Sequence, residues 1–160
     1  MSASEAAGPA PAACQFCRIA RGEAESHVVL EDEVSIAFLD RRPLFPGHCL
    51  LIPRAHHVTL MDLPPALLRP FFSNAQLLCR AMERALGAEG TFVAINNRVS
   101  QSVAHLHVHV VPRRHKDGLR GFFWPRGRYE DARAAAETRA ALRAAVEALR
   151  AEGGARPESG

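Results

Sequence analysis

Apolar residues fall along the chain in short runs bounded by turn-forming residues, and five of these runs read as strands: 27–30, 35–39, 48–53, 91–96 and 104–111. Val, Ile, Leu and Phe dominate them, and pairs such as Glu31-Asp32 and Pro46-Gly47 punctuate the gaps, as short sheet connections require. Between the third and fourth runs the period changes. Leu67, Phe71, Leu78, Met82 and Leu86 approximate a 3.6-residue repeat that stops at Gly87, which predicts a helix. Pro64, Pro65 and Pro70 crowd its start, so its regular part is expected only after Arg69. A last helix is expected over about 129–150, where alanine is abundant and Leu142, Val146 and Leu149 share one face. Strands in succession, followed by helices, predict an α+β domain: a five-stranded antiparallel sheet with a central helix and a C-terminal helix. The ends, 1–13 and 152–160, are rich in Ala, Gly, Ser and Pro without periodicity and are expected to be disordered, which leaves 14–151 as one domain.

Composition narrows the function classes. At 160 residues the chain builds one ordinary core and one active centre, and 48% hydrophobic with 23% charged residues is the balance of a globular protein. The net charge of +3, without any extended run of Lys or Arg, argues against a dedicated duplex-nucleic-acid binder. No apolar run approaches the ~20 residues of a bilayer crossing, and the Met1 end lacks a basic start followed by an apolar block, so a cytoplasmic protein is expected. Of the four cysteines, Cys49 and Cys79 stand alone in apolar surroundings and read as core. Cys14 and Cys17 form C-x-x-C, a metal or redox candidate in a reducing compartment.

The densest chemical signal is His105-Leu106-His107-Val108-His109. Alternate side chains of a strand share a face, so the three imidazoles are expected to project together while Leu106, Val108 and Val110 turn to the core. Three histidines could hold one zinc, but neighbours on a strand face lie ~7 Å apart, wide for bonds of ~2 Å. The flanking residues add to this. Ser100-Gln101-Ser102-Val103-Ala104 leads into the cluster, which itself fits H-φ-H-φ-H-φ-φ with φ apolar; Phe38-Leu39-Asp40, Pro46-Gly47-His48 and Leu51-Ile52-Pro53-Arg54-Ala55-His56 precede it in order. Over about 14–112 this closely resembles the histidine triad family of nucleotidyl hydrolases and transferases.

The resemblance implies an α+β sheet fold, usually a homodimer, and a purine (AMP-type) nucleotide substrate. It places the nucleophile on His107, where an uncharged imidazole attacks the α-phosphate to form a covalent nucleotidyl-histidine. By the same resemblance Gln101, Ser102 and His109 contact the phosphate or leaving group, His48 approaches from a neighbouring strand, Asp40 accepts from the ribose hydroxyls, and Asn96 or its neighbour Asn97 binds near the phosphate. Zinc-bearing members join an N-terminal C-x-x-C to a histidine after the I-P-x-x motif and to the first triad histidine. Here that implies a structural zinc on Cys14, Cys17, His56 and His105, with His57 as the alternative to His56. One departure stands out: many relatives carry N-x-G-x-x-A-G-Q, whereas Asn96-Asn97-Arg98-Val99-Ser100-Gln101 is shorter and lacks both glycines. Three activities remain open: hydrolysis of AMP-X compounds (adenosine phosphoramidates or diadenosine polyphosphates), phosphorolysis or nucleotidyl transfer, and a catalytically weak nucleotide-binding module. The aromatic segment Phe122-Phe123-Trp124 suits either a leaving group or packing.

Overall fold

The computed structural model describes residues 13–119 and 128–154, and the chain divides into two compact units after Gly118. The first holds two α-helices, a short 3-10 turn (Leu60–Asp62) and five strands: α1 (Gln15–Ala20), β1 (Val28–Glu31), β2 (Ser35–Leu39), β3 (Cys49–Pro53), α2 (Pro65–Leu86), β4 (Gly90–Ile95) and β5 (Val108–Arg113). The sheet order is β1-β2-β3-β5-β4, with every neighbouring pair antiparallel, so the expected α+β architecture is the one observed.

β2 and β3 are apolar at nearly every position because both faces of the sheet are covered. On one face Ala37, Cys49, Leu51, Leu106, Val108 and Val110 pack against Phe71, Ala75, Leu78 and Met82 of α2. On the other, Ile36, Phe38, Leu50 and Ile52 meet Phe16 and Ile19 of α1. Helix α1 had no counterpart among the expected elements, since six residues are too few to display a period.

Helix α2 starts at Pro65, not after Arg69, and runs through Pro70. Pro65 occupies a first-turn position where its missing N–H has no helical partner to lose. Pro70 forfeits one internal bond at a cost of roughly 3 kcal/mol. The buried stripe Phe71-Ala75-Leu78-Met82, each residue at most 5% exposed, offsets that loss through tertiary burial. The helix ends as expected at Gly87, whose φ of +60° suits a residue without Cβ.

The fifth strand is shorter than expected: the ladder begins at Val108, and residues 104–107 lie outside it. Leu106 donates its N–H to His57 O at 2.6 Å and packs with Val108 and Val110 on the α2 face, while His107 meets Phe16 on the other, so the alternation of faces reaches the histidines although the strand pairing does not.

The second unit contains α3 (Ala132–Gly154), begun by Asp131 Oδ1 accepting the Ala134 N–H at 2.7 Å. It starts and ends later than expected and takes in 152–154. Leu142 and Leu149 of its apolar face are exposed in this unit. Phe122-Phe123-Trp124 and most of both expected tails lie outside the described residues. Among the described residues no helix is long and apolar enough to cross a membrane.

Candidate active site and metal centre

His105, His107 and His109 share the face opposite α2. Phe16 sets its ring edge against His105 (centroids 5.9 Å apart) and His107 (5.3 Å), and His109 pairs in register with Leu50. The three rings are nevertheless in three different environments.

His107 Nδ1 lies 2.7 Å from the backbone carbonyl of His105. A carbonyl only accepts, so the ring proton sits on Nδ1 and Nε2 keeps its lone pair. The residue is 2% exposed yet lines a cavity of about 960 Å³, which also takes in His109, Asp40 and Ser102. That volume lies at the upper end of the ~300–1,000 Å³ typical of small-molecule sites. Phe16, Ile19, Phe38, Leu50 and Val103 supply its apolar walls, with Phe16 and Phe38 edge-to-face at 5.5 Å, and Arg41, Arg42, Glu25 and His27 its polar ones.

His109 is half-buried and its Nδ1 is 3.0 Å from His48 Nε2; His48 is 3% exposed and its Nδ1 accepts the Leu44 N–H at 3.2 Å. Burial, with His107 and His48 alongside, pushes the His109 pKa down to about 4, and burial lowers that of His48, with Asp40 opposing both shifts. Asp40 Oδ2 stands 3.8 Å from His48 Nε2, while its Oδ1 accepts the Arg42 N–H at 2.8 Å. His48 is positioned by Gly47, where φ is +97° and an added Cβ would collide with Leu86 Cδ1.

The loop after β4 departs from the sequence expectation. Gln101 does not line the cavity: its Oε1 accepts the Arg98 N–H at 2.7 Å and its Nε2 donates to Val58 O at 2.6 Å. Asn97 Oδ1 accepts the Leu60 N–H at 2.8 Å, and exposed Asn96 donates to Ser100 O at 3.2 Å. These amides brace a loop in which Arg98 (φ +68°) and Ser100 (φ +58°) hold left-handed conformations. Side-chain staples thus do what glycines do in a longer loop, and of the loop's phosphate candidates Ser102 alone is among the lining residues.

His105 belongs to a different site. Its Nε2 is 2.9 Å from Pro53 O, so the proton lies there and Nδ1 is the free donor atom. That atom is 3.5 Å from Cys14 Sγ, 3.4 Å from Cys17 Sγ and 3.3 Å from His56 Nδ1, and Cys17 Sγ is 3.2 Å from His56 Nδ1. All four ligand atoms fall within 4.8 Å of one another. A tetrahedral ion with ~2.0–2.1 Å bonds to nitrogen and ~2.3 Å bonds to sulfur sets its ligands roughly 3.3–3.8 Å apart, so the four residues fit a metal ion. Burial pushes the Cys17 thiol up to about 11, helped by Cys14, and His105 down to about 4, which leaves a protonated Cys17 beside a neutral ring unless a cation draws off the thiol proton. His57 is not in this cluster; its ring is buried and its carbonyl holds Leu106. Asp40, His48 and His109 also place three ligand-type atoms within 4.8 Å of one another.

Pro53 O, His105 O and Leu44 N decide these ring states, and as backbone groups they leave no mark in a residue pattern. Phe16 is equally hidden, since its position is an unspecified one in the C-x-x-C pattern.

A two-faced antiparallel sheet that sends alternate histidines into a nucleotide-sized cavity, behind a Cys/His cluster, defines a histidine triad protein. The chain belongs to that family: the HIT domain model matches residues 21–116. An adenylylsulfatase of Arabidopsis thaliana is 35% identical over 108 residues, covering 66% of this chain and 55% of the relative. The chain therefore spans little more than half the length of that protein. An adenosine 5'-monophosphoramidase of Saccharomyces cerevisiae is 36% identical over 111 residues, 68% of each. The crystal structure of a zinc-bound histidine triad family protein from Mycobacterium smegmatis superposes with a TM-score of 0.64 at 39% identity, covering 71% of this chain and 84% of that one.

Proposed function

We propose that this protein hydrolyses AMP-X compounds, adenosine phosphoramidates or diadenosine polyphosphates, at the α-phosphate. The observation that carries the reading is the His107 ring state: Nδ1–H is tied to His105 O, and Nε2 offers its lone pair at the cavity. In the first step Nε2 forms a bond to phosphorus while the bond from phosphorus to X breaks, X leaving with the electron pair. Water then attacks phosphorus and displaces Nε2, so that AMP-X and water give AMP and XH. His109 and Ser102 stabilise the phosphoryl oxygens, and Asp40 accepts from the ribose. Asn96 and Gln101 serve the same site from behind, by shaping the loop that presents Ser102. The names of the Arabidopsis and yeast relatives support an adenylyl compound as substrate.

The same reading gives Cys14, Cys17, His56 and His105 a structural zinc. It would fix the segment whose carbonyl orients His107. A reducing compartment such as the cytoplasm keeps both thiols available as ligands. Edge strand β4, with Val93 45% exposed, offers a surface for the expected homodimer.

The test is AMP release from adenosine phosphoramidate and diadenosine tetraphosphate by wild type and His107→Ala, with mass spectrometry of rapidly quenched enzyme. We expect an adenylyl adduct on wild type, and a loss of about 10⁴-fold or more in kcat for the variant, which still binds AMP. An active His107→Ala protein would remove the nucleophile, and no AMP from either substrate would remove the activity.

A further inference from the structure

Resting on the proposed hydrolysis only for its catalytic consequence, we infer that the backbone N–H of Leu44, acting through His48, locks His109 as its Nε2–H tautomer. His109 then meets the phosphoryl group as a fixed hydrogen-bond donor, and His48 is a positioning residue that never carries a proton through the site.

The chain of deduction starts at an atom with no choice. A backbone N–H can only donate, and Leu44 points its N–H at His48 Nδ1, 3.2 Å away. That nitrogen must hold a lone pair, so the single proton of neutral His48 is on Nε2. Nε2 lies 3.0 Å from His109 Nδ1 and donates to it. His109 Nδ1 is in turn an acceptor, and its proton is forced onto Nε2. Protonating His48 at Nδ1 would set two N–H groups face to face, and the ring is 3% exposed, so no water can replace the lost bond without rearrangement.

The groups facing the pair agree. Asp40 Oδ2, 3.8 Å from His48 Nε2, attracts a proton already on that atom. Burial disfavours an imidazolium at His109, whose ring centroid lies 5.0 Å from that of His107.

Two neighbouring histidines on one face are thereby given opposite tautomers by backbone groups of opposite polarity. The His105 carbonyl makes His107 a lone-pair donor, and the Leu44 amide makes His109 an N–H donor. The same logic separates the two clusters of ligand-type atoms. His105 has its proton drawn away from the metal cluster by Pro53 O, whereas His48 has its proton pushed toward His109, which leaves no lone pair on Nε2 for a cation beside Asp40.

The experiment has two arms on the full chain. Two-bond ¹H–¹⁵N correlation spectra of protein labelled at histidine report which ring nitrogen carries hydrogen, with assignments made from the signals lost in His48→Gln and His109→Gln. We expect Nε2–H on both His48 and His109 and Nδ1–H on His107. Nδ1–H on His109, or an exchanging mixture, overturns the inference, and this arm needs no substrate. In the second arm kcat for adenosine phosphoramidate is compared in His48→Phe, which fills the space without a donor, and His48→Gln, whose amide N–H can replace Nε2–H but cannot relay a proton. We expect His48→Phe to lose about 100-fold and His48→Gln to recover at least about tenfold of that loss, with KM changing little. Equal losses in both variants indicate a proton relay and overturn the positioning role. A wild type that hydrolyses nothing sinks the proposed function and leaves the tautomer result standing.

Discussion

Stripping the metal from Cys14, Cys17, His56 and His105 should lower both stability and turnover, by amounts that follow from where the ligands sit. Cys17 and His105 are separated by 88 positions, so the proposed ion shared by them would act as a cross-link across most of the domain. A link closing a loop of that length removes about 4–5 kcal/mol of unfolded-chain entropy at 25 °C. Apolar contacts do not replace it, because Phe16 and Ile19 already pack on the sheet without it. With roughly 2–4 °C per kcal/mol for a domain of this size, Tm should fall by roughly 10–20 °C. Turnover should fall with it, since the carbonyl that meets His107 Nδ1 belongs to His105, itself one of the proposed ligands. The assay is calorimetry and AMP release before and after chelation, with metal analysis, and with Cys17→Ser as the genetic equivalent. About one zinc per chain is expected in fresh wild type. A fully demetallated protein that melts within about 2 °C of the original and turns over at the original rate would refute the cross-link and its coupling to His107.

Two further outcomes concern pH and strain. His109 holds off protonation to about 4 in the fold against an ordinary 6.5, and His48 shifts the same way, so between those values the unfolded chain binds more protons. Stability is therefore full above about pH 6.5 and declines as the pH falls toward 4. His109→Gln should show a shallower decline in urea midpoint between pH 7.5 and pH 5, and parallel slopes would contradict the assignment. Arg98 and Ser100 hold left-handed backbone conformations that disfavour L side chains. Arg98→Gly and Ser100→Gly should each raise unfolding stability by up to about 1 kcal/mol in urea titrations, and a loss of that size would show that the side chains hold the loop better than the strain opposes it.

Much of the sheet was legible. β2 spans the expected residues because the apolar run Ile36-Ala37-Phe38-Leu39 is bracketed by the polar turn residues before Ser35 and by Asp40, and α2 ends at the glycine that marked its stop. The start of α2 was misread because local preference counts Pro70 against a helix, whereas burial of the stripe from Phe71 to Met82 counts for one and carries more energy. Strand β5 begins later than its apolar pattern suggests because pairing depends on a partner. Its ladder with β3 stops at Leu51–Val108, and the chain ahead of it is held by His57 instead. The site divides in the same way. His56, which the resemblance already implied ahead of its neighbour His57, stands with Cys14, Cys17 and His105. Gln101 and Asn97 turned from the cavity to brace a loop without glycine, an outcome set by the carbonyl of Val58 and the amide of Leu60.

The order of residues by itself determined the family, the alternation that puts three imidazoles on one face, and the residue types available for nucleophile, donor and metal ligand, because these follow from spacing along one chain. Tertiary structure alone decided which ring nitrogen meets which backbone group, and so which histidine is suited to the proposed ion, which to the proposed attack and which to the proposed donation. The reason is physical: a ring's tautomer is set by the polarity of the group packed against it, and here those groups are the backbone of Leu44, Pro53 and His105, brought to the rings by the fold.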